Sequence, residues 1–410
     1  MMRDVFDLML WLFIKLKAKL YKSIVVSRMI FKEEISFYPN TVLKFEREFS
    51  KYIGTKHAAT FSNGTTAIEA ALYALKLSEN DEVISPLYTI PSTFSPIKNT
   101  GSKIVFADVN IKSLNIDSKD ILKKITDNTK AIIVVHIFGN PCDMNEIMSI
   151  AEKYNLSVIE DCSHAHGSKI GSKMVGSFGD IGVFSLQGSK AVAAGEGGVI
   201  VTDNEILLDR MLEYGHQGRR ICGTLSEPIK IENHLAHGLG RKSRAHPIGV
   251  GMALVDLRFL ELKNNLLYRN WKFINDVVNK YEWIEVQYRY KASKINGFFG
   301  GSALILNNIF KSSRDEVIHL MNKNNISSYA VYQHNNDKNP VYKSVSPKGR
   351  MLNDGSLSKE FKSSSLEGTK VATERVIMIP LIQFFLPSKK NKFIKVMVEI
   401  NQIQNSYENY

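Results

Sequence analysis

The stretch Gly182-Val183-Phe184-Ser185-Leu186-Gln187-Gly188-Ser189-Lys190, followed by Gly195-Glu196-Gly197-Gly198-Val199-Ile200-Val201-Thr202, sets a lysine between two short apolar runs rich in β-branched residues. Runs of that length, bounded by glycine, read as strands at Gly182 to Ser185 and Val199 to Thr202. Upstream, Leu156-Ser157-Val158-Ile159-Glu160-Asp161 contains a third, Ser157 to Glu160, and closes on a carboxylate. Working outward, Glu82 to Ser85, Ile104 to Ala107 and Ala131 to His136 also read as strands, with helical stretches between them. Several are apolar on both faces, as in a mostly parallel sheet covered by helices. The alternation predicts an α/β fold.

On either side of this region the pattern changes. Thr41 to Tyr52 carries Val42, Phe45, Phe49 and Tyr52 at helical spacing. Ser62-Asn63-Gly64-Thr65-Thr66 is a small polar turn that opens a helical run from Ala67 to Leu77. A helix start of that kind offers backbone N–H groups and the positive end of a dipole to an anion such as phosphate, although similar turns cap many helices that bind nothing. Met252 to Tyr281 reads as a long helix leading out of the sheet domain. The strand Ser302 to Leu306 and the helix Arg314 to Asn324 predict a smaller α+β domain, with an exposed loop over Ser344 to Leu366, rich in Ser, Lys and Gly. The expected division is an arm at 1–35, a large domain at 36–255, and an interdomain helix with a small C-terminal domain at 256–410.

Bulk properties bound the function. With 410 residues, 44% hydrophobic and 23% charged, the chain has the composition of an ordinary globular protein large enough for more than one core. Its 53 Lys+Arg against 41 Asp+Glu give +12, which favours anionic partners. No zinc-finger spacing and no basic block with interleaved aromatics is present, so nucleic acid is not an expected partner. Cys142, Cys162 and Cys222 have no metal-ligand spacing and form no disulfide framework; no metal is expected, and a reducing cytoplasm fits. Val5 to Tyr21 holds the apolar stretch Leu8-Met9-Leu10-Trp11-Leu12-Phe13-Ile14, followed by Lys15, Lys17, Lys19 and Lys22. It is too short to span a bilayer, and Asp4 and Asp7 argue against a signal peptide. Two readings of this helix stand: peripheral contact with an anionic membrane surface, or an arm packed on its own subunit or a neighbour.

The chemistry rests on Lys190, Asp161 and Ser185 together. In an open α/β sheet, ligands bind outside the carboxyl ends of the strands. A primary amine there can anchor an aldehyde cofactor as a Schiff base and later move protons; a strand-end carboxylate can keep a pyridine nitrogen protonated; Ser185 and Thr65 can reach a phosphate. This points to pyridoxal phosphate. Singly, each residue has an ordinary role as a helix cap, a surface charge or a strand-end hydroxyl; their order on this architecture favours the site.

The chain resembles the sugar aminotransferases of the DegT type, a branch of the fold type I pyridoxal-phosphate enzymes, over roughly residues 35 to 400. The matching segments are Ser62-Asn63-Gly64-Thr65-Thr66-Ala67, Asp81-Glu82-Val83-Ile84, Val105-Phe106-Ala107-Asp108-Val109, His136-Ile137-Phe138-Gly139-Asn140-Pro141, Ile159 to Gly167, Gly179-Asp180, and Phe184-Ser185 through Lys190 to Gly198. The resemblance implies a large domain with a mostly parallel seven-stranded sheet. It implies a Schiff base at Lys190, the ring nitrogen on Asp161, and His164, where many relatives carry Gln, against the ring or its hydroxyl. Gly64, Thr65 and Ser185 fall on the phosphate. Relatives that dehydrate keto-deoxy sugars carry His in place of the lysine, so Lys190 favours transamination.

Three departures from the family pattern stand out. Where relatives place an aromatic that stacks on the cofactor, this chain has Thr89-Ile90-Pro91, leaving Tyr88, Phe94 or Ile90 to cover the ring. The segment that reaches a neighbouring subunit's phosphate reads Gly240-Arg241-Lys242-Ser243-Arg244, so Lys242 meets it as a point charge. The arm has no counterpart. The resemblance further implies a homodimer with shared active sites, a nucleotide-linked keto sugar as acceptor, and glutamate or glutamine as donor, for a surface glycan or related amino sugar. Tyr88, Arg219, Arg220 and Arg244 are candidates for the substrate, the arginines through their forked donors. Two alternatives remain: a keto cyclitol or other ketone without a nucleotide, and a protein that keeps cofactor for binding or regulation without turnover.

Overall fold

The computed structural model describes residues 2–32, 35, 39–216, 241–332 and 366–406. In chain order the helices are α1 (Met2–Phe31), α2 (Asn40–Ile53), α3 (Gly64–Ala74), α4 (Pro91–Asn99), α5 (Ser118–Lys124), α6 (Met144–Tyr154), α7 (Glu205–Gly215), α8 (Pro247–Val278), α9 (Arg314–Lys323), α10 (Glu367–Arg375) and α11 (Pro387–Ser406). The strands are β1 (His57–Phe61), β2 (Glu82–Pro86), β3 (Lys103–Ala107), β4 (Thr129–Val135), β5 (Ser157–Asp161), β6 (Lys169–Ile170), β7 (Lys173–Met174), β8 (Ile181–Ser185), β9 (Gly198–Thr202), β10 (Ile284–Val286), β11 (Ser293–Lys294), β12 (Ser302–Leu306) and β13 (Val376–Ile379).

Seven strands form the central sheet in the order β1-β9-β8-β5-β4-β2-β3. Six of them point the same way, five of these joined by parallel pairing, and β9 alone is reversed, antiparallel to both β8 and β1. The six strands expected from the sequence are all present, and the seventh is β1. Its His-Ala-Ala-Thr-Phe carries little β-branched character, and its antiparallel pairing with β9 makes it a strand. Both faces of the sheet are buried. Ile133, Ile159 and Val183 pack with α3 and α7 on one side, while Phe184, Val199 and Val201 pack with α2 and the first half of α8 on the other. This is why the strands read as continuous apolar runs.

The small domain is the antiparallel sheet β10-β12-β13 with α9, α11 and the second half of α8 around a separate core centred on Trp271, Ile274, Phe384 and Phe393. Helix α8 therefore belongs to two cores at once: Leu254 and Leu260 lie in one, Trp271 and Val278 in the other. A third small sheet, β11-β6-β7, stitches the domains together.

Helix α1 is longer than the Val5–Tyr21 stretch that suggested it. Its inner face, Trp11, Ile14, Ala18 and Met29, is buried against α8 and the 3-10 turn Leu381–Phe385, where Trp11 stacks on Phe385 at 4.9 Å. Asp7 pairs with Arg269 and Asp4 with Lys390, and Lys22 Nζ donates to Asp256 at 2.6 Å. Among the described residues no helix is long and apolar enough to cross a membrane.

Candidate active site

Four pieces of backbone converge at the carboxyl edge of the sheet. Strands β5 and β8 are parallel neighbours that end on Asp161 and Ser185, and the connection from β8 to β9 carries Lys190. That connection is a long hairpin held by Leu186 N–H to Gly197 O, Gly188 N–H to Gly195 O and Lys190 N–H to Gln187 O. The fourth piece is the start of α3. A Cβ on Gly198 would stand 2.4 Å from the carbonyl oxygen of Asn63, and one on Gly64 would stand 3.1 Å from Ser185 Cβ. Only the missing side chains let the α3 N-terminus sit on the strand ends.

The Asp161 carboxylate is buried and held from two directions. Oδ2 accepts from Thr93 Oγ1 at 2.8 Å, and Oδ1 accepts from the Ser163 N–H at 3.0 Å. Thr93 in turn shares a hydrogen bond with Thr89 at 3.1 Å. A carboxylate has about four acceptor directions, so Asp161 keeps capacity for a further donor.

Lys190 is largely buried, and desolvation lowers its pKa to about 8 although Asp161 pulls the other way. A sizeable fraction of the amine is therefore neutral near physiological pH. Its Nζ lies 3.5 Å from the ring centroid of Phe299, and that ring stacks on His164 with centroids 4.1 Å apart and planes 12° apart. Phe138 stacks near His164 at 5.9 Å and 9°. Burial, then the neighbouring Lys190, holds His164 well below the usual histidine range, so its ring is neutral. Its Nδ1 accepts from the Phe138 N–H at 3.3 Å, which leaves the proton on Nε2 as a donor.

At the start of α3, the N–H groups of Thr66 and Ala67 are taken by the side chain and carbonyl of Asn63. Among the described residues those of Gly64 and Thr65 have no partner. With the Ser185 hydroxyl alongside, they make an anion cradle. Cradle, amine, carboxylate and a neutral histidine donor fit pyridoxal phosphate: they would hold its phosphate, aldehyde carbon, ring nitrogen and ring hydroxyl in that order.

The other sequence candidates fall in different places. Tyr88 is buried against Phe138 and Tyr332, with ring centroids at 6.4 and 5.3 Å, and its hydroxyl has no partner among the described residues. Phe94 is spent in the core against Phe106. Ile90, at the start of α4, is 50% exposed, so of the three residues considered for covering the ring it alone has an open face. Lys242 is exposed and its backbone bridges His216; Arg244 is half-buried. Arg219 and Arg220 lie outside the described residues, as do Cys222 and residues 344–365 of the expected loop. Cys142 and Cys162 are free and buried.

Several residues had no signal in the sequence. Thr93 reaches Asp161 across 68 positions, and Phe299 arrives from the small domain. Behind β5, Glu160 accepts from the N–H groups of Gly176, Phe178 and Gly179 and from His136 Nε2 at 3.0 Å. His136 Nδ1 accepts from the Cys142 N–H, so a neutral ring donates from Nε2. Although His136, Glu160 and Cys162 have ligand-type atoms within 4.8 Å of one another, the lone pairs of Glu160 are spent on this network, which braces the strand that ends on Asp161.

Of the site residues, Lys190 and Phe299 line a cleft of about 510 Å³ that runs to the inner flank of α1, where Lys15, Lys19 and Lys22 contribute. Asp256 on α8 joins the two ends: it pairs with Lys22 and Lys263, while Lys263 also donates to Ala191 O at 3.3 Å, one residue past Lys190.

A sequence profile of the DegT/DnrJ/EryC1/StrS aminotransferase family matches residues 26–381. Among similar proteins, GDP-perosamine synthase of Escherichia coli O157:H7 is 46% identical over 184 residues, 45% of this chain and 50% of that protein. L-glutamine:2-deoxy-scyllo-inosose aminotransferase of Streptoalloteichus tenebrarius is 32% identical over 236 residues, 57% and 56% of the two chains. The chain spans about half the length of the curated relatives it matches. Among solved structures, an aminotransferase from Psychrobacter cryohalolentis superposes with a TM-score of 0.80 at 25% identity, over 94% of this chain and 97% of that one.

Proposed function

Because the chain belongs to the DegT/DnrJ/EryC1/StrS aminotransferase family, we propose that it is a pyridoxal 5′-phosphate-dependent aminotransferase that moves an amino group from glutamate or glutamine to the keto carbon of a sugar nucleotide, for a surface glycan or related amino sugar. The observation that carries this reading is a desolvated amine, Lys190, within electrostatic reach of a buried carboxylate, Asp161, at the sheet edge where the unspent N–H groups of α3 also lie.

When bound, the cofactor supplies an electrophilic aldehyde carbon and an electron-withdrawing ring. Asp161 holds the proton on the ring nitrogen, and Thr93 and Ser163 fix the carboxylate for that task. Lys190, neutral in part because it is buried, takes a proton from the donor's α-carbon and returns protons at the acceptor carbon. His164 donates from Nε2, oriented by the Phe138 N–H. Gly64, Thr65 and Ser185 hold the phosphate. Burial keeps water from competing for these groups.

The reading includes a homodimer with shared sites, in which exposed Lys242 meets the partner's phosphate and Arg244 lies near the acceptor. Likeness to the GDP-perosamine synthase supports a nucleotide-linked acceptor. Likeness to the 2-deoxy-scyllo-inosose enzyme favours a second acceptor class, keto cyclitols without a nucleotide.

The test is a half-reaction on the purified full chain. The protein should be yellow, and the band should vanish on borohydride reduction or in Lys190→Ala. The acceptor that restores the yellow form from the pyridoxamine form identifies the substrate class. A protein that cannot be loaded with cofactor sinks the reading; one that loads but reacts with no amino donor is a binding protein without turnover.

A further inference from the structure

Helix α1 has two apolar faces, and only one of them is used. Asp7, Trp11, Ile14, Ala18 and Met29 point inward and are buried. On the opposite side Phe6, Met9, Phe13, Leu16, Leu20 and Ile24, spaced by three and four residues, make a continuous stripe, each 53 to 70% exposed. At 1.5 Å per residue it is about 27 Å long. Isolated exposed apolar side chains are ordinary, but a stripe of six along one helix is a patch that calls for a partner.

The charges beside the stripe say which partner. Lys17 and Arg28 run along one edge, and Lys19 stands at the other, where it also borders the cleft; all three are exposed. Lys17 Nζ lies over the rings of Phe13 and Tyr21, at 5.7 and 5.9 Å, with its stem along the apolar face. The helix has two acidic residues, Asp4 and Asp7, and both are paired with cations of the body of the protein. The outward half of α1 is therefore apolar in the middle and cationic at both margins. A second copy docked through the same face would set cations against cations, which a two-fold contact cannot avoid. An anionic bilayer surface satisfies both parts: acyl chains accept the stripe and phosphate headgroups accept the lysines.

We propose that α1 lies in the plane of an anionic phospholipid bilayer, with the Phe6–Ile24 stripe in the headgroup boundary and its inner face still packed on α8 and the Leu381–Phe385 turn. The family match begins at residue 26, so the stripe precedes the matched region. The contact does not depend on what the cleft turns over.

Vesicle co-sedimentation of the full chain tests this. Binding to phosphatidylglycerol/phosphatidylcholine vesicles should exceed binding to phosphatidylcholine alone by about tenfold or more and weaken as salt is raised, because a basic flank acts through screened charge. Phe13→Glu/Leu16→Glu should lose about tenfold or more of the binding with unchanged far-ultraviolet dichroism. If that variant does not fold, Lys17→Gln/Lys19→Gln/Arg28→Gln keeps the apolar stripe and should lose the preference for anionic lipid. Wild-type protein left in the supernatant, or equal sedimentation with neutral and anionic vesicles, overturns the proposal. So does a wild-type oligomer that ignores lipid and falls apart in Phe13→Glu/Leu16→Glu; the stripe would then face protein.

Discussion

The side-chain nitrogen of Lys190 sits 3.5 Å from the centre of the Phe299 ring, a contact between the hairpin of the large domain and the loop that enters β12 of the small one. The ring does two opposed things to the amine. Its face attracts the ammonium form, and its bulk removes water from it. Burial prevails, since the pKa is lowered to about 8.

Replacing Phe299 with alanine should therefore admit water and move that pKa back up toward the ordinary lysine range. Cofactor capture by the stripped protein needs the neutral amine, so its rate should rise with pH and level off above about 8 in the wild type. In Phe299→Ala the midpoint should lie higher, and capture at pH 7 should slow. An unchanged midpoint would show that Phe299 does not control the hydration of Lys190.

The same burial has a stability consequence. The folded pKa of Lys190 lies below its unfolded value, so between about 8 and 10.5 the unfolded chain binds more protons and folding stability rises with pH. Below about 8 the penalty is present in full. Lys190→Met should stabilise the cofactor-stripped protein at pH 7 by on the order of 1–3 kcal/mol while abolishing activity. Urea denaturation of the stripped protein at pH 7 and 10 checks both the gain and its loss at high pH.

Asp161→Asn should retain cofactor but lose on the order of a hundredfold or more in turnover, because an amide does not hold the ring-nitrogen proton. Thr93→Val leaves the charge in place and removes one buried hydrogen bond of 2.8 Å, so a milder loss, about tenfold, is expected. Stopped-flow measurement of the half-reaction with glutamate separates these effects from cofactor affinity.

Gly64→Ala would put a methyl group 3.1 Å from Ser185 Cβ and push α3 off the strand ends by a few tenths of an ångström. Cofactor affinity should fall by about tenfold, an effect Ser185→Ala should share through loss of a hydroxyl donor. Equilibrium dialysis measures both. Normal affinity in both variants would move the phosphate elsewhere.

Glu160→Gln leaves an amide where one carboxylate accepts from three backbone N–H groups and His136. An NH₂ group facing buried donors should cost about 2–4 kcal/mol. Thermal unfolding reads the loss.

The parts of this protein that could be read from its chain share a local character. Strands buried on both faces show as apolar runs, and Asp161, Ser185 and Lys190 stand at strand ends or just beyond, where chain order alone sets them near one sheet edge. The Asn63-Gly64-Thr65 helix start is likewise a contiguous signal. Strand β1 escaped because its alanines, Ala58 and Ala59, become a strand only through pairing with Val201 and Ile200 of β9, far downstream.

By itself, then, the amino-acid order determined an α/β scaffold and set Lys190, Asp161 and the Asn63-Gly64-Thr65 helix start at or near strand ends, since each is encoded within a few neighbouring residues. Only tertiary structure decided that Thr93 holds Asp161, that Phe299 packs over Lys190, that Phe94 is core while Ile90 stays open, and that α1 spends one apolar face and leaves the other bare. Those outcomes depend on where α8 docks the small domain and the N-terminal helix against the sheet. A contact between residues far apart in the chain leaves no periodicity or spacing to read.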